Sequence, residues 1–258
     1  MTLIDDGLGL DGPSLEGAHV FVLTVDQRHS RRHSDRVDEL LDSLAGRPGV
    51  LRSFERTAGD EVQGVMDDAA AVVDLVLGLV RRGEWSVGIG AGPVHDPLPA
   101  ATRAGSGPAF ELARKAVERA KSSPQLLAVE APDPVRAAAA QAALDLLASV
   151  VQRRSDPGWE AVDLISRGTT QTEVAEQLGI TKQAVSQRLR AATWAPEVAG
   201  RDLAAQLLRA ADRPAESRQA ENPQAESPQA ESPQAEDAKA SDASGRPYRG
   251  DYPSTASD

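Results

Sequence analysis

Two groups of residues have types and spacing suited to chemistry. The first lies in TKQAVSQRLRAA, residues 181–192, where Val185 and Leu189 share one side of a helix. Lys182, Gln183, Ser186, Gln187 and Arg190 then face the other way. Glutamine amides match adenine, guanidiniums match guanine or phosphate, and no carboxylate stands among them, which suits base edges in a DNA major groove. The second group is acidic. Asp26 ends an apolar run and Asp60-Glu61 fill a short polar gap; two close carboxylates can hold Mg²⁺ beside a triphosphate. Between them, QRHSRRHSDR (Gln27 to Arg36) places a basic stretch before a helix, where backbone N–H groups and arginines meet phosphate. The alternative for Asp60-Glu61 is a solvated hairpin tip.

The elements that must position these residues follow from periodicity. AHVFVLTV (18–25) is a buried strand, and 35–44 a helix with Ser34 as a possible cap, ended near Gly46 and Pro48. GVLRSFERT (49–57) and EVQGVM (61–66) form a hairpin around 58–60, and 67–82 is a helix with carboxylates first and arginines last. A strand at 85–92, a helix at 107–122 and a strand at 125–130 complete the order β-α-β-β-α-β, then α-β. This predicts an α+β fold with a ferredoxin-like, palm-like antiparallel sheet, its helices on one face. An Ala-rich helix (135–154) leads onward, its apolar stripe a linker surface or a dimer face.

From Trp159 three helices are implied. The first holds Ala161, Val162, Leu164 and Ile165 and stops at Gly168; the second is TQTEVAEQL and the third follows Gly179-Ile180, with Thr181 as its cap. The stretch resembles the helix-turn-helix superfamily, especially the promoter-reading region of sigma factors and related response-regulator domains. Glu173-Val174-Ala175, Leu178-Gly179-Ile180 and Val185-Ser186-Gln187-Arg188-Leu189 carry the likeness. It implies a recognition helix touching double-stranded DNA through Thr181, Lys182, Gln183, Ser186, Gln187, Arg188 and Arg190, in a protein that pairs half-sites as a dimer. A three-helix bundle used only for protein contact is the alternative.

Over roughly residues 18–130 the chain resembles the SatD family. The carrying residues are Asp26 with Ser30-Arg31, Gly59-Asp60-Glu61-Val62-Gln63-Gly64, Gly88-Ile89-Gly90, and Gly107-Pro108-Ala109-Phe110 with Ala113-Arg114. More remotely, the order of elements looks like the palm of class III nucleotide cyclases and diguanylate cyclases. That likeness implies metal acids at Asp26 and Asp60 and phosphate contacts from Arg28, Ser30, Arg31 and Arg114. Phe110 stands where cyclases place an Asn, and Ser106 where many SatD-like chains have Asp. These departures favour a domain that binds a ligand or partner over an active cyclase.

Composition bounds the rest. With 28 Lys and Arg against 39 Asp and Glu the net charge is −11, so a nucleic-acid site must be local. The absence of cysteine excludes disulfides, zinc fingers and thiol catalysis. The acidic start and the lack of any run approaching a membrane span predict a cytoplasmic protein without a membrane partner. GIGAGP (88–93) reads as a strand with close backbone approach, because Pro93 and Pro97 forbid the helix a dinucleotide loop needs. His29 and His33 are four apart amid arginines, which suits phosphate better than a metal. His19 and His95 have no evident partners, no Ser, His and Asp pattern suggests a hydrolase, and Asn222 precedes Pro223 and so is no glycosylation acceptor.

The expected organisation is a flexible N-terminus (1–17), a SatD-like α+β domain (18–131), a linking helix (132–157), a DNA-binding helix-turn-helix domain (158–210) and a disordered Glu/Pro/Gln/Ala tail (211–258). The expected function is transcription regulation by sequence-specific DNA binding, with the front module sensing a ligand or dimerising. The competing reading is a Mg²⁺-dependent nucleotide enzyme using Asp26 and Asp60.

Overall fold

Alternating apolar residues set up a five-stranded sheet with two unlike faces. In the structure, a computed structural model that describes residues 20–30 and 34–212, the strands are β1 (Phe21–Gln27), β2 (Val50–Ala58), β3 (Glu61–Met66), β4 (Trp85–Ala91) and β5 (Leu127–Glu130). Their order is β2-β3-β1-β4-β5, with β1 antiparallel to both β3 and β4. The expected antiparallel sheet is therefore mixed, because β5 runs parallel to β4. The cause is the helix between them, since a parallel neighbour needs a crossover.

Phe21, Leu23 and Val25 of β1 enter the main core with Val62, Met66, Val87 and Ile89. On that side lie α1 (Val37–Leu44) and α2 (Ala69–Arg82). Asp68 caps α2 by accepting from the Ala70 amide at 2.8 Å, and Gly83 ends it in the left-handed conformation, φ 71°. Ser34 is not the cap of α1. Its carbonyl accepts from Gln27 Nε2, while Asp35 Oδ1 takes the Val37 amide at 2.9 Å.

The intervening residues, Val20, Val22 and Val65, face Ala109, Phe110 and Ala113 of α3 (Pro108–Ala120). Helices thus cover both faces, not one: α1 and α2 share a side as expected, and α3 takes the other. Gly88 and Gly90 make this possible. A methyl at Gly88 would run into the Val117 amide and the Ala113 carbonyl, and one at Gly90 into the Ala109 carbonyl. GIGAG is a strand on which a helix backbone lies directly, as its sequence suggests.

The Ala-rich helix α4 (Pro134–Arg153) is no linker. Ala137, Ala140, Leu144, Leu147, Ala148 and Val151 belong to the main core. They meet α8 (Trp194–Ala211), which was not anticipated beyond the third helix of the second module and which contributes Ala204, Ala205, Leu208 and Ala211. Contrary to the sequence reading, α4 is long and apolar enough, by length and composition alone, to cross a membrane.

Between α4 and α8 lie α5 (Asp156–Ile165), α6 (Gln171–Leu178) and α7 (Lys182–Ala191), wrapped around their own core of Ala161, Val162, Val174, Ala175, Val185, Leu189 and Ala192. Because α8 returns to α2 and α4, the boundary expected near residue 158 does not divide the described chain, which is compact through Asp212. The N-terminal segment, nearly all of the C-terminal tail, and Arg31, His19, His33 and Asn222 lie outside the described residues.

Candidate nucleic-acid interface and acidic cleft

Capping fixes the α6–α7 pair. Thr170 and Glu173 bond reciprocally at the start of α6, Gly179 turns the chain at φ 63°, and Thr181 accepts from the Ala184 amide at 3.1 Å. Val185 and Leu189 are buried, so the predicted residues emerge on the far side. Thr181, Lys182, Gln183, Gln187 and Arg190 are exposed and Ser186 half-buried, with Arg190 Nη2 donating to Ser186 Oγ at 3.2 Å. Lys182 stands in the first turn, where the helix dipole disfavours a cation by about 0.3–1 kcal/mol. Arg188 departs from the expected set. Its Nη1 is held 2.8 Å from Glu160 Oε2 on α5, which draws it sideways and away from the open face.

At one end of the sheet, register places Asp26 opposite Glu61 on β3 and Ser86 on β4. The hairpin brings Asp60 alongside, with the Gln27 amide donating to its carbonyl at 3.3 Å. Asp26, Arg28, His29, Ser30 and Asp60 line one cleft of about 720 Å³ together with Lys121, which sequence reasoning missed. Lys121 follows α3 and places Nζ 3.3 Å from Asp26 Oδ2 and 2.7 Å from Glu118 Oε1. No local pattern marks it; only the packing of α3 on β1 brings it there.

Burial raises the Asp26 pKa, opposed by Lys121 and reinforced by Asp60 and Glu61. Burial also works against the Lys121 charge, but the bonds to Glu118 and Asp26 outweigh it and lift the lysine above its usual value. In the free protein the Lys121 ammonium faces Asp26, so a Mg²⁺ held by Asp26 and Asp60 would have to displace it. Among the described residues no three His, Cys, Asp or Glu side chains converge as metal ligands. Arg28 turns back, its amide donating to the Glu84 carbonyl and its Nη1 to the Gly83 carbonyl at 3.0 Å. Arg114 is exposed on α3 and is not part of the cleft wall. His95 does have a partner, with Nδ1 3.2 Å from Ser106 Oγ.

The chain matches no known family model, no curated protein and no solved structure. Its function must therefore be read from its own geometry.

A polar joint ties α2 to α5 and α8. Arg81, near the end of α2, grips Asp163 of α5 at 2.6 and 2.7 Å and stacks on Trp159. Arg154 stacks on the same ring, 4.2 Å from its centroid, and pairs with Glu197 of α8, both side chains fully buried. Arg201 joins Glu197 to Asp74 of α2. Gly83 and Arg81 are two residues apart, so Arg28, in the turn that follows β1, is tied to the end of α2 that holds α5.

Proposed function

We propose that this chain is a cytoplasmic, sequence-specific DNA-binding transcription regulator, with α6 and α7 a helix-turn-helix that lays α7 in the major groove. The single observation carrying this reading is the exposed, acid-free face of α7 in a chain of net charge −11. Lys182 and Arg190 meet phosphate or guanine, and Gln183 and Gln187 read adenine. The split β-α-β order of β1 to β4 supports a ferredoxin-like, palm-like front module of SatD type. Its cleft, holding both Lys121 and Asp26, senses a small polar ligand and carries the signal through α2 to α5.

Retention of fragmented genomic DNA from the source organism, followed by sequencing, tests the reading. A few enriched sites, lost in Lys182→Ala/Gln187→Ala/Arg190→Ala, are expected. No enrichment at low or moderate salt overturns it. Turnover of a nucleoside triphosphate abolished by Asp60→Asn would instead support the enzyme reading.

A further inference from the structure

The exposed side of α4 carries Val135, Ala138, Ala139, Ala142 and Leu146, at positions i, i+3, i+4, i+7 and i+11. That is an unbroken helical stripe without a charge or a hydrogen-bonding side chain. Leu146 is 72% exposed and Val135 61%. The buried stripe on the other side of α4 already satisfies the fold, and only 33% of the helix's most apolar stretch is buried. Among the described residues nothing covers this second stripe.

The stripe continues onto α8. Leu147 packs on Gly200, and Arg136 Nη1 donates to the Ala210 carbonyl, so the helices run antiparallel. Leu203, 52% exposed, is one turn from Gly200 on the flank that meets α4. From the geometry we infer that the α4–α8 face is the interface with a second copy of this chain.

Three observations favour that occupant. First, two adjacent helices of 20 and 18 residues present a face of about 30 Å by 20 Å. Pairing it with its own copy buries roughly 1,200 Å², the lower bound of a stable, specific interface. Second, two chains of charge −11 repel each other overall, so an uncharged face adds no further repulsion, and Ala138, Ala139 and Ala142 let the α4 backbones come close across a two-fold axis. Third, residues 213–258, the longest stretch outside the described residues, contain no Leu, Ile, Val, Met, Phe or Trp, so they offer no large aliphatic side chain to an apolar face. A lipid surface fits less well. An interfacial helix is favoured by aromatic anchors and several cations, whereas α4 has no aromatic residue, its Arg136 is bonded to Asp133 and Ala210, and Arg153 is its one other basic residue.

The inference does not need the DNA-binding reading, because it is tested on full-length protein without DNA. Sedimentation equilibrium should show a reversible dimer, weakened at least about 30-fold by Leu146→Glu or Leu203→Glu. Both positions are exposed, so unchanged circular dichroism and melting should accompany the loss. The chain has no cysteine, so Ala142→Cys gives a direct reading. Mild oxidation should yield a disulfide-linked dimer, and Asp42→Cys on α1 should not. A protein monomeric up to roughly 100 µM, a dimer indifferent to both glutamate variants, or capture by neutral lipid vesicles that Leu146→Glu abolishes without self-association would each overturn the inference.

Discussion

The guanidinium carbon of Arg81 lies 3.7 Å from the centroid of the Trp159 ring, so the last turn of α2 and the first turn of α5 share one stacked contact. Trp159 belongs to both hydrophobic cores at once, packing against the main core and against the α5–α7 cluster. The same arginine holds Asp163, so stacking and ion pair act on one side chain. A ring stacked by two guanidiniums is a rigid joint, whereas a loop would let the α5–α7 unit swing.

Trp159→Ala removes that joint. Truncating a large aromatic at a partly exposed position should cost about 3 kcal/mol and decouple the two cores. Urea unfolding followed by far-UV circular dichroism should then show two transitions instead of one, with α5–α7 melting first. A single transition at an unchanged midpoint would show that the joint contributes nothing.

Gly88 and Gly78 make a matched pair. A methyl at Gly88 meets the α3 backbone, which can give way only by lifting the helix, so Gly88→Ala should destabilise by about 1–3 kcal/mol. Gly78 is inside α2 with open space around it, so Gly78→Ala should stabilise by about 0.5–1 kcal/mol through helix propensity and a stiffer unfolded chain. Opposite shifts in urea midpoint for the same added methyl test the packing of α3 on the sheet.

The legible parts of this protein were those written in local patterns. The β2–β3 hairpin followed from the short 58–60 gap, where Gly59 takes a φ of 57° that suits the first residue of a tight two-residue turn. Helices α6 and α7 followed from the apolar residues around Gly179 and from the Thr181 cap, whereas the Thr170 capping box was not read. Helix α8 was hidden because alanines fill most of its buried positions and Pro196 imitates a break, although proline is tolerated in a first turn where no amide partner is needed. Lys121 and Arg188 were misjudged for another reason. Their roles depend on carboxylates 95 and 28 residues away, and no local spacing encodes such a distance.

The Asp26 carboxyl predicts a pH dependence. Its pKa is raised in the folded state by burial, so between the unfolded and folded values the folded chain holds the extra proton. The stability associated with that proton is present at low pH and lost as pH rises through the folded pKa. Asp26→Asn keeps the neutral shape and should make the protein more stable than the parent at pH values above the raised folded pKa, the difference shrinking as pH falls below the ordinary carboxylate range. Equal stability across that range would show that Lys121 compensates the buried charge fully.

Arg154 and Glu197 form an ion pair with both side chains inaccessible, and Arg154 Nη1 is left without a partner. Glu197→Ala strands the buried Arg154 and takes from Arg201 one of its two carboxylates, and should cost about 3–5 kcal/mol. Replacing both, as Arg154→Met/Glu197→Leu, should recover most of that loss, because desolvating two charges offsets much of their attraction. Thermal melts of the single and double variants compare the two directly.

Arg188 and Arg190 are two residues apart on α7 and should behave differently in DNA binding. Arg190 is exposed and bonded only to Ser186 on its own helix, so Arg190→Ala should weaken binding and lower the slope of log affinity against log salt by about one charge. Arg188 is committed to Glu160, and Arg188→Ala should leave that slope nearly unchanged while loosening α5 from α7. Its loss of stability should be small, within about 1 kcal/mol, because both partners of the pair reach solvent. A salt titration of both variants on one enriched DNA site decides the matter. If Arg188→Ala removes as much slope as Arg190→Ala, the Glu160 pair opens on DNA and the contact face of α7 is wider than its free form displays.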